Sequence, residues 1–407
     1  MVWETKKLGE ITKKEKFAIV DGPFGTQLKS NEYVSEGIPL VRIKNITWDG
    51  DFIDKHLVYI TQEKFNSLKR SAIYPGDIIL AKTGGTIGKM CLLPERITEG
   101  LITSSCAKIS IDKKLADNKF IWLYLSSVEG QKKIMDASGG STRNSINLTP
   151  LKDIKIPYPT LEEQKQIVKI LDEVFESISK SKENAEKNLK NAKELFESYL
   201  EEIFSNPKED WEEKKLEEIA KIQTGTTPKT SEKDNIGNFI PFIKPADFNK
   251  DGSINYENFG LSEKGLKQSR LIEKNSVLMV CIGATIGKTG FTEKEISCNQ
   301  QINSLTLKKD LFPKLFYYAL ITKRFKNEVL KNSGQATIPI INKTKWSRLK
   351  VYFPKSLPEQ TSIVQKLDSL SSEIKQLEEI YKQKLKDLEE LKKSMLQKAF
   401  SGELTKE

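Results

Sequence analysis

The chain repeats itself in circular order, and that order constrains its fold more than composition does. The stretch TGGTIGKM at 83–90 returns as IGATIGKT at 282–289, an offset of 199 residues. Its surroundings return with it. GIPLVRIKNITWDG (37–50) matches FIPFIKPADFNKDG (239–252), and LKDIKIPYP (151–159) matches WSRLKVYFP (346–354). LEEQKQIVKILDEV (161–174) then matches LPEQTSIVQKLDSL (357–370). Offsets that drift between 195 and 202 mean small loop insertions in a duplicated unit. The ends complete the pattern. Trp3 and Lys6-Lys7-Leu8 match Trp211 and Lys214-Lys215-Leu216, which follow the first of two long helical stretches. The opening segment is what would follow the second such stretch. A pseudo-twofold circular arrangement, with the two ends brought together, accounts for this.

The helical stretches cover 161–205 and 358–401. At ~1.5 Å per residue, each run of ~44 residues would reach ~66 Å. Ile167, Leu171, Val174, Ile178 and Leu189 line the first; Ile363, Leu367, Leu370, Ile374, Leu377, Leu385 and Leu388 line the second. Their alternating spacing is a coiled-coil seam, with a stutter at the same place in both copies. A helix this long cannot bury its seam on one compact domain, so the simplest partner is the other copy, packed antiparallel. Beside the seam lie Ile170, Phe175, Phe196, Leu200 and Phe204 in the first helix, and Ile380 and Leu396 in the second. They read as a docking surface for other helices, with packing onto the flanking domains as the alternative. Thr160 with Glu163 fits a capping box, and Gly402 fits a C-cap.

The segments 1–155 and 207–352 mix short apolar runs with Gly, Pro and Asn turns. GIPLVRI, GDIILAK, AKISI and DIKIPY read as strands, while 116–135 and 312–331 read as striped helices. The expected fold class is α+β. Two globular domains, 1–155 and 207–352, alternate with helical regions 156–206 and 353–407, which pair as an antiparallel coiled coil. No stretch approaches the ~18 apolar residues of a membrane span. MVWETKKLGEITKK lacks the apolar core of a signal peptide, so cytoplasmic residence is the expectation.

Composition narrows the chemistry. His56 is the only histidine, which argues against Ser–His–Asp catalysis and histidine metal clusters. Cys91, Cys106, Cys281 and Cys298 show no C-x-x-C spacing and read as small buried residues. No metal or cofactor is expected. The first helical stretch holds 11 acidic and 7 basic residues and the second 8 of each, which leaves the rest of the chain at +14 against a total of +10. Excess positive charge off the helices suits a pair of polyanion-binding domains, although 59 of the 66 basic residues are lysines, as in many cytosolic proteins.

GATIGKT resembles a phosphate-binding loop, G-x-x-x-x-G-K-[ST], but has one residue too few between its glycines. Its twin ends in Met90, where a hydroxyl would be needed to bind magnesium. The two copies read instead as glycine turns between strands, with Lys89 and Lys288 pointing outward.

Together, GPFGTQLK (22–29), IPLVRIKNI (38–46), the TGGTIGK and IGATIGK pair, LKDIKIPYPTLEEQKQIVKILD and LKVYFPKSLPEQTSIVQKLD resemble the specificity subunits of type I restriction–modification systems. The resemblance covers nearly the whole chain. It implies that each globular domain is a target-recognition domain reading one half of a split, asymmetric site in double-stranded DNA. It also implies that the coiled coil sets the gap, that two methylation subunits dock on the helices and that restriction subunits join them. The chain itself would perform no chemistry. Candidate DNA contacts are Lys29, Arg42, Lys44, Lys82, Lys89 and Arg143 in the first domain, and Lys229, Lys244, Lys288 and Gln335 in the second. One departure stands out: SCNQQI (297–302) ends in an Asn-Gln pair where SSCAKI (104–109) has none. Two other readings compete. One is a non-enzymatic protein–protein adaptor with two modules on a rigid coil; the other is a nucleotide-dependent enzyme using the GATIGK loops.

Overall fold

The computed structural model describes residues 3–138, 145–229, 231–249, 251–334 and 338–404. They form two units: Met1–Ala185 with Gln383–Glu407, and Glu186–Lys382. Both long helices form, as Leu161–Ser205 and Leu357–Phe400. Each gives one end to each unit.

In the first unit, Ile167 and Leu171 near the start of one helix share a buried core with Leu396, Ala399 and Phe400 at the end of the other. Phe400 meets Phe120 and Tyr124 edge-on, with ring centroids 5.3 and 5.2 Å away. In the second unit, Leu200 and Phe204 share a core with Val364 and Leu367. Start lies beside end in both, so the helices run antiparallel within each unit. Lys182 reaches Glu389 at 3.7 Å in the first unit and Lys193 reaches Glu378 at 3.1 Å in the second. Of the seam positions, Ile167, Leu171, Ile178, Leu367 and Ile374 are buried, Val174, Leu189, Ile363, Leu370, Leu385 and Leu388 are half-buried, and Leu377 is exposed.

The residues beside the seam do not form one outward surface. Leu200, Phe204 and Leu396 are buried in the cores of their own units, because the helix ends there run alongside a globular half. Ile170, Phe175 and Phe196 are half-buried, and only Ile380 stands clear, 59% exposed.

The strands repeat as the sequence does. Thr5–Lys7 pairs antiparallel with Lys155–Pro157, and Trp211–Lys215 with Lys350–Pro354; Lys7 faces Lys155 as Lys215 faces Lys350. The opening segment thus fills, in the first unit, the place of Trp211–Lys215 in the second. Each unit also holds a four-stranded antiparallel sheet. In spatial order these are Ile19–Asp21, Cys106–Ile109, Ile78–Ala81 and Met90–Leu92, and then Ala220–Thr224, Ile302–Leu307, Ser276–Val280 and Thr289–Thr292. Ile78–Ala81 and Ser276–Val280 are buried along their whole length. Side chains alternate across a strand, so Ile78 and Leu80 face the helices while Ile79 faces a second sheet. Val277 and Met279 divide from Leu278 and Val280 in the same way. That two-sided burial is why these strands read as continuous apolar runs. In these second sheets, of four strands in the first unit and three in the second, Ile38–Val41 runs parallel to Gly100–Ile102, and Ile236–Ile243 parallel to Ser297–Cys298.

The two segments expected as single helices each break in two, at Ser127 and at Thr322. The Ser127 hydroxyl accepts from the Gly130 amide at 3.2 Å, and that of Thr322 from the Phe325 amide at 3.1 Å. Each residue caps a new helix in place of continuing the old one.

Gln164 and Gln360, the glutamines of the repeated EQ pair, join helix to globular half. Both are fully buried. Gln164 accepts from the Asp117 amide at 2.8 Å and donates to the Pro159 carbonyl at 2.9 Å. Gln360 does the same with the Phe312 amide at 2.9 Å and the Pro354 carbonyl at 2.8 Å. About two turns further along each helix, Asp172 pairs with Lys119 at 2.7 Å and Asp368 with Lys314 at 2.9 Å. Thr160 and Glu163 exchange hydrogen bonds of 2.9 and 3.3 Å as a capping box.

Candidate nucleic-acid interface

Three loops meet at equivalent places in the two globular halves. The first follows Ile19–Asp21 and Ala220–Thr224, and begins with Gly22 or Gly225. The Gly22 amide donates to the Cys106 carbonyl at 3.3 Å, and that of Gly225 to Ile302 at 3.0 Å. A Cβ on Gly22 would fall 2.2 Å from the Thr103 carbonyl carbon, and one on Gly225 2.2 Å from the Asn299 oxygen. Only glycine permits so close an approach. The second loop carries Arg42 or Lys244. Each caps a short turn, its amide held by Asn45 at 2.9 Å or Asp247 at 2.7 Å. The third loop is tied to the strand that leads into the second loop, through the Thr103 amide to the Val41 carbonyl at 3.2 Å and through the Asn299 amide to the Ile243 carbonyl at 3.1 Å.

These bonds fix the equivalence of the third loops. SCNQQI (297–302) corresponds to LITSSC (101–106), not to SSCAKI. Thr103–Ser105 therefore stands where Asn299–Gln301 stands. Strand pairing sets this register, and the sequence match alone missed it by three residues because the short strands share no distinctive residue. In the first unit the three loops border a cavity of about 360 Å³, lined by Tyr33, Arg42, Lys44 and Thr103–Ser105 among others.

The basic candidates divide by what holds them. Lys29, Lys44 and Lys229 are exposed on or beside these loops. Arg42 is half-buried and donates to the His56 carbonyl at 2.6 Å. Lys244 lies 4.1 Å above the Phe259 ring, and Lys89 5.3 Å from that of Trp48. Lys82 is turned inward onto Asp21 at 2.9 Å, with only 12% of its side chain exposed. Lys288 is half-buried and donates to the Phe248 carbonyl at 2.5 Å, so it does not point outward as expected. Arg143 and Gln335 lie outside the described residues. The sequence reading singled out the Asn-Gln pair within Asn299–Gln301 but missed its counterpart, the polar turn Thr103–Ser105. Three consecutive uncharged polar residues closing a buried strand were the available signal.

The GATIGK loops close β-hairpins. Gly84–Thr86 connects Ile78–Ala81 to Met90–Leu92, and Gly283–Thr285 connects Ser276–Val280 to Thr289–Thr292. Gly84 and Gly283 take φ of 63° and 81° at the tips. No helix follows either tip, so neither offers the helix N-terminus that cradles a phosphate. All four cysteines are buried, and burial pushes their thiols up to about 12. Among the described residues no cluster of His, Cys, Asp or Glu could hold a metal ion, and no helix is long and apolar enough to cross a membrane.

A family model described as the type I restriction modification DNA specificity domain matches this chain twice, at residues 2–190 and 208–387. The MjaVIII type I restriction enzyme specificity subunit of Methanocaldococcus jannaschii is 25% identical over 366 residues, 83% of this chain and 81% of its own. The fold is shared with the solved HsdS subunit of Thermoanaerobacter tengcongensis, with a TM-score of 0.63 and 20% identity over 99% of this chain and 97% of that one. A chain solved in work on complex assembly and conformational transition of the type I R-M system superposes with a TM-score of 0.78 at 20% identity, covering 98% of each.

Proposed function

The chain belongs to the type I restriction modification DNA specificity family, and from that premise we propose that each globular half reads one half of a two-part DNA site. The observation that carries this is the repeated three-loop frame. Its backbone is the same in both halves, while the side chains it presents differ: Arg42 with Thr103–Ser105 in one, Lys244 with Asn299–Gln301 in the other. One scaffold with two sets of polar tips suits two different base sequences. Exposed Lys29, Lys44 and Lys229 are the phosphate contacts in this reading. The recognition domains are 1–155 and 207–352, and the paired helices of 156–206 and 353–407 hold the spacing.

The chain performs no chemistry in this account. Two methylation subunits dock on the helical regions, with exposed Ile380 as one contact, restriction subunits join them, and the assembly works in the cytoplasm. The test is recovery of bound duplexes from a random library by the chain assembled with its methylation subunits. Two short preferred motifs at a fixed separation are expected, with affinity falling steeply as salt rises. Recovery without sequence preference overturns the proposal and leaves the adaptor reading.

A further inference from the structure

Among the polar side chains of the two third loops, Gln300 is presented differently from its neighbours. Asn299 is buried, and its carboxamide serves the turn: its oxygen accepts from the Gln301 amide at 3.1 Å and its nitrogen donates to the Gln301 side chain at 2.9 Å. Gln301 is thereby occupied as well. Gln300 sits between them, exposed. Its Oε1 accepts from the Thr227 hydroxyl at 2.6 Å. The opposing loop is itself pinned, by Arg270 to the Thr224 carbonyl at 2.6 Å and by Asn235 to the Lys229 carbonyl at 2.9 Å.

A carboxamide oxygen has two lone pairs and the nitrogen two protons. Thr227 uses one lone pair and fixes the amide plane. One acceptor site and the Nε2 donors remain, side by side, on an exposed edge. That pattern complements a base edge offering an adjacent donor and acceptor, which in the major groove is adenine, through N6 and N7. Lys229 lies two residues beyond Thr227, and Lys244 directly follows the strand residue that anchors Asn299. Both loops beside Gln300 thus carry a cationic residue close along the chain to the groups that hold the amide.

We infer that Gln300 is a base-reading residue of the second half, specifying an adenine, and that Thr227 is the residue that positions it. This rests on the half-site reading proposed above. In the first half the equivalent residue is Ser104, whose hydroxyl donates and accepts through a single atom and so cannot bridge N6 and N7 as a carboxamide does; the same position there is read by different chemistry or not at all.

The experiment compares the assembled complex carrying the natural chain, Gln300→Ala and Thr227→Val in selection from a random duplex library, followed by affinity measurement across salt. Gln300→Ala is expected to lose preference for adenine at one position of one motif, with discrimination there falling roughly 5- to 150-fold. The other motif and the salt slope stay as they were, because no phosphate contact is removed. Thr227→Val keeps the adenine but weakens the preference. Unchanged preference at every position in Gln300→Ala, or a uniform loss across both motifs, overturns the inference. A natural chain that selects no two-part site overturns the parent reading instead.

Discussion

Replacing Gln360 by alanine tests whether one buried glutamine fastens each recognition domain to its helix. Alanine removes the donor to the Pro354 carbonyl and the acceptor for the Phe312 amide. The Pro354 carbonyl is buried, and a buried unsatisfied group costs about 1–3 kcal/mol, while the second bond contributes about 1 kcal/mol net. The lost methylene adds about 0.8 kcal/mol. The sum is roughly 3–5 kcal/mol, which for a unit of this size lowers its melting temperature by roughly 6–20 °C. Scanning calorimetry reads the shift, and hydrogen exchange locates it to the start of Leu357–Phe400 and to Pro313–Ile321. Gln164→Ala should do the same in the first unit. A shift of under about 2 °C, or loss of protection spread evenly over the chain, refutes the assignment.

Other consequences can be measured independently. Burial pushes the Asp251 carboxyl up, but hydrogen bonds from Ser253 and Lys375 outweigh it and hold the group at about 2. Its folded value lies below its unfolded one, so its contribution is present above about pH 4 and is lost as pH falls towards 2. The pair is partly exposed, so the effect is under about 1 kcal/mol, and urea unfolding between those pH values should show it in the natural chain but not in Asp251→Asn; identical pH profiles contradict it. Lys44→Ala and Lys229→Ala should each reduce the salt dependence of DNA binding by about one ion without changing the preferred bases; a changed base preference contradicts the phosphate role. Removing seven residues from both long helices shortens each by about 10 Å, or about three base pairs. The selected gap between motifs should change accordingly, and an unchanged gap contradicts the spacer role.

The parts of this fold governed by periodicity were legible in the sequence. The duplication predicts two matching α+β halves, and the seam spacing predicts two long helices, because both signals span many residues. Interactions decided by tertiary contact were not legible. Gln164 and Gln360 look like ordinary polar residues in a first helical turn until the carbonyls of Pro159 and Pro354 are seen beside them. Leu200, Phe204 and Leu396 lie on the face a docking helix would need, but a globular half already covers them. Lys82 and Lys288 could not be told from surface lysines, since Asp21 and the Phe248 carbonyl are distant in sequence. The polar turn Thr103–Ser105 was hidden because only strand register identifies it with Asn299–Gln301.

The most direct test of the central claim is to map base methylation in the DNA of a host expressing this chain with a methylation subunit that assembles with it. The account predicts modified bases confined to sites with two short, dissimilar motifs separated by a constant number of unspecified base pairs, and loss of modification when the chain is omitted. Methylation at a single contiguous motif, or at sites independent of this chain, would contradict it.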